Sequence, residues 1–126
     1  MKKLLTILIV FVSIIANGQI ERHFLYDIGE KRFDSAREHL SNKVILWIND
    51  DQQILGKGQA VKKIRGMFDS QNIVKFKLLH NGKSADRSSS YKVARIKTDL
   101  AMYRVFAYSE KRNGVDKVVE IRVNEM

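Results

Sequence analysis

The chain has 126 residues, no cysteine and no proline, and its 23 Lys and Arg outnumber 14 Asp and Glu for a formal net charge of +9. Disulfide staples and thiolate metal sites are therefore excluded, and one hydrophobic core has to hold the fold. The excess charge sits in the middle: between Ile54 and Lys97, the eleven basic residues Lys57, Lys62, Lys63, Arg65, Lys75, Lys77, Lys83, Arg87, Lys92, Arg95 and Lys97 meet only Asp69 and Asp86.

Residues 1–18 open with Lys2 and Lys3, run apolar from Leu4 to Ile15, and close on the small residues Ala16 and Gly18. This is the layout of a signal peptide, with cleavage expected at Gly18/Gln19 and an exported product, periplasmic or secreted. A bilayer-spanning helix needs about 20 apolar residues, so this shorter run predicts a removed leader and no transmembrane anchor afterwards. Residues 19–126 show no linker or internal repeat and predict a single domain.

Ile20, Phe24, Leu25 and Ile28 share one helical face, with Gly29 as the stop. Phe33, Ala36 and Leu40 repeat at helical spacing, and Asp34 is the expected N-cap of that second helix. Lys43–Asn49 is rich in β-branched and aromatic residues and predicts a strand, followed by a turn at Asn49-Asp50-Asp51. Gln59–Phe68 predicts a third helix, with Ala60, Val61, Ile64, Met67 and Phe68 in one apolar stripe and Lys62, Lys63 and Arg65 pointing away. Four strands follow: Ile73–Asn81, Ser89–Thr98, Ala101–Lys111 and Val115–Asn124. Asn113-Gly114 predicts a type I′ hairpin turn between the last two.

Face consistency suggests the register. Opposing Phe76 with Ile96 and Leu78 with Ala94 gathers the apolar residues of the first hairpin and leaves Lys75, Lys77, Arg95 and Lys97 on its reverse. Centring the last hairpin on Asn113-Gly114 opposes Tyr108 with Val119, Phe106 with Ile121 and Arg104 with Val123. This places Met102, Arg104, Phe106 and Tyr108 on the inner face and leaves Val93, Val105 and Ala107 on the outer one. The expected fold is α+β: three helices from the N-terminal half packed on a curved antiparallel sheet.

The element order is that of the nuclear-transport-factor-2-like (cystatin-like) fold, a cone of sheet around a helix. More closely, the chain resembles the exported bacterial domain-of-unknown-function family numbered 4783. The likeness rests on Gly58-Gln59-Ala60 opening the third helix, Phe68 near its end, His80-Asn81-Gly82 with Ser84, Tyr91, and Tyr103-Arg104-Val105. The resemblance implies a fold and an envelope location, and it carries over no activity, cofactor or catalytic residue.

The polar residues on the predicted inner face suggest a site. Arg104, flanked there by Met102 and Phe106, needs a carboxylate such as Asp27 or Asp34, or an anionic ligand, because an unpaired buried guanidinium is costly. With Tyr26, Asp27, His80 and Tyr108 it is expected to line a helix–sheet pocket for a small, anionic ligand. His23, His39 and His80 have no metal-ligand spacing, so no metal and no cofactor is expected. The outer stripe Lys75, Lys77, Arg95 and Lys97 is the second candidate. It suits an anionic envelope component rather than nucleic acid, since no aromatic residues are interleaved with it. The sequence thus favours a non-catalytic binding module. A surface interaction protein, acting through the stripe or as a homodimer through the outer sheet face, is the alternative. An isomerase, hydrolase or dehydratase is a third reading, weakened by the scarcity of inward carboxylates on the strands.

Overall fold

The computed structural model describes residues 20–84 and 88–126. The expected leader, its expected cleavage site and residues 85–87 of the first hairpin's loop lie outside the described residues. The elements are α1 (Ile20–Gly29), α2 (Phe33–Glu38), β1 (Leu40–Ile48), β2 (Asp51–Gly56), α3 (Lys57–Phe68), β3 (Ile73–Lys83), β4 (Ser89–Thr98), β5 (Met102–Arg112) and β6 (Val115–Glu125).

Helix α1 forms because Phe24, Leu25 and Ile28 recur on one face, and all three are fully buried. It ends in a Schellman-type turn: Lys31 N–H donates to Ile28 O at 3.1 Å and Arg32 N–H to Asp27 O at 2.7 Å. The left-handed residue of this turn is Lys31, at φ 58°, rather than Gly29. Asp34 does not cap α2; that position falls to Arg32, without a side-chain bond, and Asp34 lies in the first turn. Helix α3 buries Ala60, Val61, Ile64 and Phe68 and exposes Lys62, Lys63 and Arg65, as its periodicity requires.

All strands join one curved six-stranded sheet in the order β2-β1-β6-β5-β4-β3. The sheet is mixed rather than wholly antiparallel: β1 runs parallel to β6, whereas every other neighbouring pair is antiparallel. No hairpin joins β1 to β6, so only tertiary packing sets their relative direction. Strand β2 was not expected from its sequence, DQQILG, because a short, mostly polar edge strand carries little alternation.

The first hairpin has the expected register, with Phe76 opposite Ile96 and Leu78 opposite Ala94. The second half departs from expectation at two places. The β4–β5 turn is closed by Thr98 N–H to Ala101 O at 2.8 Å, and Thr98 Oγ1 accepts from the N–H groups of Leu100 and Ala101. That turn sets Ile96 opposite Tyr103 and Lys97 opposite Met102. The inner face of β5 is therefore Tyr103, Val105, Ala107 and Ser109, all buried, and Arg104, Phe106 and Tyr108 face out. Next, a bulge separates the Ser109–Val118 pair from the Tyr108–Glu120 pair. Near the turn the register follows Asn113-Gly114, both at positive φ. Beyond the bulge it slips by one residue, so Ala107 opposes Ile121 and Val105 opposes Val123. The expected pairs Tyr108–Val119, Phe106–Ile121 and Arg104–Val123 are thus replaced. Helices α1 and α3 seal the inner face with Phe24, Leu25, Ile28, Ile64 and Phe68 against Ala94, Ile96, Val105 and Ile121.

Candidate functional site

Cross-strand pairing arranges the outer face in rows. At the end of the sheet holding the β4–β5 turn, Lys75, Lys97 and Met102 form one row, and Lys77, Arg95, Arg104 and Asn124 form the next. Five cations thus occupy three adjacent strands. Strands lie about 4.8 Å apart and same-face residues about 6.7 Å apart along a strand, so each cation has like-charged neighbours within one side-chain length. In water, two such charges about 5 Å apart repel by roughly 0.8 kcal/mol.

Among the described residues none of these five cations forms an ion pair, whereas Arg112 reaches Glu110 at 3.2 Å and Arg122 reaches Glu120 at 2.8 Å. Lys75, Lys77, Arg95, Lys97 and Met102 line a cavity of about 180 Å³. The Arg95 Nε at its wall is shut off from water and has no hydrogen-bond acceptor among the described residues. A buried charged donor left unpaired is costly, and an anionic oxygen is the group that would satisfy it. The arrangement can hold an anion by charge and by guanidinium hydrogen bonds.

The adjoining rows are aromatic. Arg122 lies between Trp47 and Phe106, its guanidinium carbon 4.9 and 5.8 Å from the two ring centroids. Phe106 stacks on Tyr91 at 5.5 Å, and His80 meets Tyr91 edge-on at 6.3 Å. These rings stand beside one another across the strands, so their faces are largely used within the sheet.

The five residues expected to line a helix–sheet pocket do not come together. His80 is on the outer face because a bulge between Leu78 and His80 shifts it opposite Val93. Arg104 and Tyr108 are on the outer face through the β4–β5 register, and Arg104 is exposed. Asp27 is buried, but its partners are local: Arg32 Nε at 3.1 Å, Ser35 Oγ at 2.7 Å and His39 Nε2 at 3.0 Å. Neither Asp27 nor Asp34 pairs with Arg104. Tyr26 is half-buried against Phe76, with ring centroids 5.0 Å apart. Val105 and Ala107, expected outside, are core residues, while Val93 keeps its outward place. The stripe Lys75, Lys77, Arg95 and Lys97 lies where its alternation puts it, and Arg104 joins it.

Glu21 carries an inward carboxylate that the expected site does not include. It is fully buried and accepts hydrogen bonds from the hydroxyls of Ser90 and Ser109, joining α1 to β4 and β5. Its spacing to Leu25 and Ile28 on the apolar face of α1 was the available signal. A second interior network links Gln71 Nε2 to Tyr103 Oη at 2.8 Å and Thr98 Oγ1 to Gln71 Oε1 at 2.6 Å. Both networks are enclosed and tie elements together. Among the described residues no group of three or more His, Asp or Glu is placed to hold a metal ion.

No protein with a curated description matches the chain. Among solved structures it is similar to a DUF4783 family protein from Bacteroides uniformis, with a TM-score of 0.75 and 19% identity over 83% of this chain and 95% of that one. A DUF4783 family protein from Bacteroides fragilis gives a TM-score of 0.73 at 17% identity, covering 82% of this chain and 96% of that one. An NTF2-like protein of unknown function from Pseudomonas putida gives 0.65 at 9% identity, covering 84% and 81%. The family model described as domain of unknown function (DUF4783) matches residues 28–124, from the end of α1 to the penultimate residue of β6. The chain therefore belongs to the DUF4783 family and has an NTF2-like α+β fold.

Proposed function

We propose that this protein is an exported, non-catalytic binding module that holds an anionic component of the cell envelope on the outer face of its sheet. The carrying observation is the unpaired basic patch of Lys75, Lys77, Arg95, Lys97 and Arg104, with the Arg95 Nε lacking an acceptor. The leader-like residues 1–18 support the location. The helix–sheet interior is a poorer site, since Phe24, Leu25, Phe68, Ile96 and Ile121 fill it.

Titration of the protein with dextran sulfate, a soluble polyanion, tests this reading. Binding is expected to weaken steeply with salt and to be lost in the Lys75→Glu/Lys77→Glu variant. The charge-matched control Lys62→Glu/Lys63→Glu, on the opposite layer, should retain it. Equal loss in both variants would reduce the effect to net charge and overturn the site.

The aromatic half of the same face favours a second reading, a homodimer. Ile45, Trp47, Tyr91, Phe106 and Tyr108 are only partly buried there. A two-fold contact over the whole face would bring two basic patches together, so the contact would have to be confined to the aromatic rows. Sedimentation equilibrium of wild type and Phe106→Lys distinguishes the cases: a monomer in both removes this reading.

A further inference from the structure

Five large apolar side chains are strongly exposed: Ile54, Val74, Leu100, Val115 and Met126. Three of them gather at one end of the sheet. Val74 (60% exposed) stands where β3 begins, Leu100 (70%) at the tip of the β4–β5 turn and Met126 (59%) where β6 ends. Asn72 N–H donates to Asp99 Oδ1 and Asp99 N–H to Asn72 O, each at 2.9 Å, which clips the start of β3 to that turn. Met126 N–H donates to Met102 O at 2.8 Å, which brings the third alongside. Lys75, Lys97 and Met102 make up the outermost row at this same end. An apolar rim therefore continues directly from the basic patch.

From this juxtaposition we infer that the anionic partner is the surface of a lipid bilayer, met by the corner where the basic rows run into Leu100, Val74 and Met126. The inference rests on the anion-binding reading and names its partner. A soluble polyanion would use the cations and leave the rim in water. A bilayer surface has a use for both: anionic headgroups meet Lys75, Lys97, Lys77, Arg95 and Arg104, and the apolar tip enters the boundary beneath them. Beside the basic rows of β3–β5 the only carboxylate among the described residues is Asp99, which is occupied by Asn72; Glu125, Asp50 and Asp51 lie at the far side of this end, where Asn49 Oδ1 accepts from Glu125 N–H. Over β3–β5 the five cations outnumber this one carboxylate.

Co-sedimentation with vesicles tests the inference, using protein purified after export. Vesicles of phosphatidylglycerol in phosphatidylcholine are compared with phosphatidylcholine alone. Binding is expected only to the anionic vesicles. Each cation near an anionic surface is worth about fivefold in partitioning, so Lys75→Gln/Lys97→Gln should lower it by about 25-fold. Leu100→Ser should lower vesicle binding by about tenfold or more and leave dextran sulfate binding unchanged, which also shows that this variant is folded. Val74→Ser should act in the same direction, and Lys62→Gln/Lys63→Gln should change neither. Vesicle binding that ignores Leu100→Ser and Val74→Ser would overturn the inference. Retained dextran sulfate binding without vesicle binding would overturn it too, while leaving the anion-binding reading intact. Loss of both would remove that reading as well.

Discussion

Arg95 and Arg104 stand directly opposite each other on β4 and β5, on the solvent face of the sheet. Like charges across an antiparallel ladder are destabilising, and no carboxylate among the described residues bridges this pair. Arg104→Thr should therefore raise stability by about 0.2–1 kcal/mol, read as a higher urea midpoint with an unchanged slope. The same variant should bind polyanions more weakly. A lower midpoint would show that Arg104 has a stabilising partner, and the patch would lose its status as a binding surface held at a cost in stability.

Glu21 is buried on the other face of the sheet, where the Ser90 and Ser109 hydroxyls both donate to its Oε1 and its Oε2 has no hydrogen-bond partner among the described residues. Removing Ser90 and Ser109 hydroxyls together should cost at least about 1–3 kcal/mol, since the acceptor stays behind in a dry site. Adding Glu21→Leu to that double variant should restore much of the loss, because replacing a polar group and its partners by apolar groups is close to neutral. Failure of the leucine to rescue, measured by urea denaturation, would assign Glu21 a role beyond satisfying those two hydroxyls.

Asp27 ties α1 to the α1–α2 turn through Arg32, to α2 through Ser35 and to the residue between α2 and β1 through His39. Asp27→Ala should cost about 1.5–3 kcal/mol per charge-assisted bond that cannot be replaced by water. Arg32 is half-exposed and recovers its hydration, so the loss should fall mainly on the Ser35 and His39 contacts. Hydrogen exchange should then quicken in α2 more than in the central strands. Uniform quickening over the sheet would contradict this local role.

Gly29 separates two effects of opposite sign. Helix propensity alone predicts that Gly29→Ala stabilises the end of α1 by about 0.5–1 kcal/mol. A Cβ at that position would lie 2.6 Å from Phe76 Cδ2, closer than carbon atoms approach. Overpacking of this kind costs about 1–3 kcal/mol, so the net change should be destabilising. Pairing the substitution with Phe76→Leu should recover part of the loss. A stabilising single variant would mean that β3 yields easily at this point.

The leader-like residues 1–18 predict a processed product. Intact mass and N-terminal sequencing of protein recovered outside the cytoplasm of an exporting host should place the first residue at Gln19. Recovery of the uncleaved chain in the membrane fraction would replace the exported module with an anchored one.

Much of the fold was legible because its signals are local. The apolar stripes of α1 and α3 and the positive-φ pair Asn113-Gly114 each depend on a few neighbouring residues. The alternation of β3 and β4 correctly placed Lys75, Lys77, Arg95 and Lys97 outside. Strand β5 was not legible in the same way. MYRVFAYS has large residues on both faces, so alternation permits either side to face in. Its orientation depends on the three-residue turn after Thr98, and the bulge at Val119 of β6 reconciles it with the Asn113-Gly114 hairpin; neither leaves a strong signature. The candidate pocket built on an inward Arg104 went with that choice, and the basic patch gained Arg104 for the same reason.

The sequence by itself determined the number and type of most elements, the absence of covalent staples, the concentration of positive charge in the middle of the chain and the leader-like start. Those are properties of composition and short-range periodicity. Only the tertiary structure decided which face of β5 meets the helices, that β1 runs parallel to β6, and that Val74, Leu100 and Met126 share one end of the sheet with Lys75 and Lys97. Strand register and bulges bring together residues far apart in the chain, and a shift of one position exchanges the buried and solvent faces of a strand.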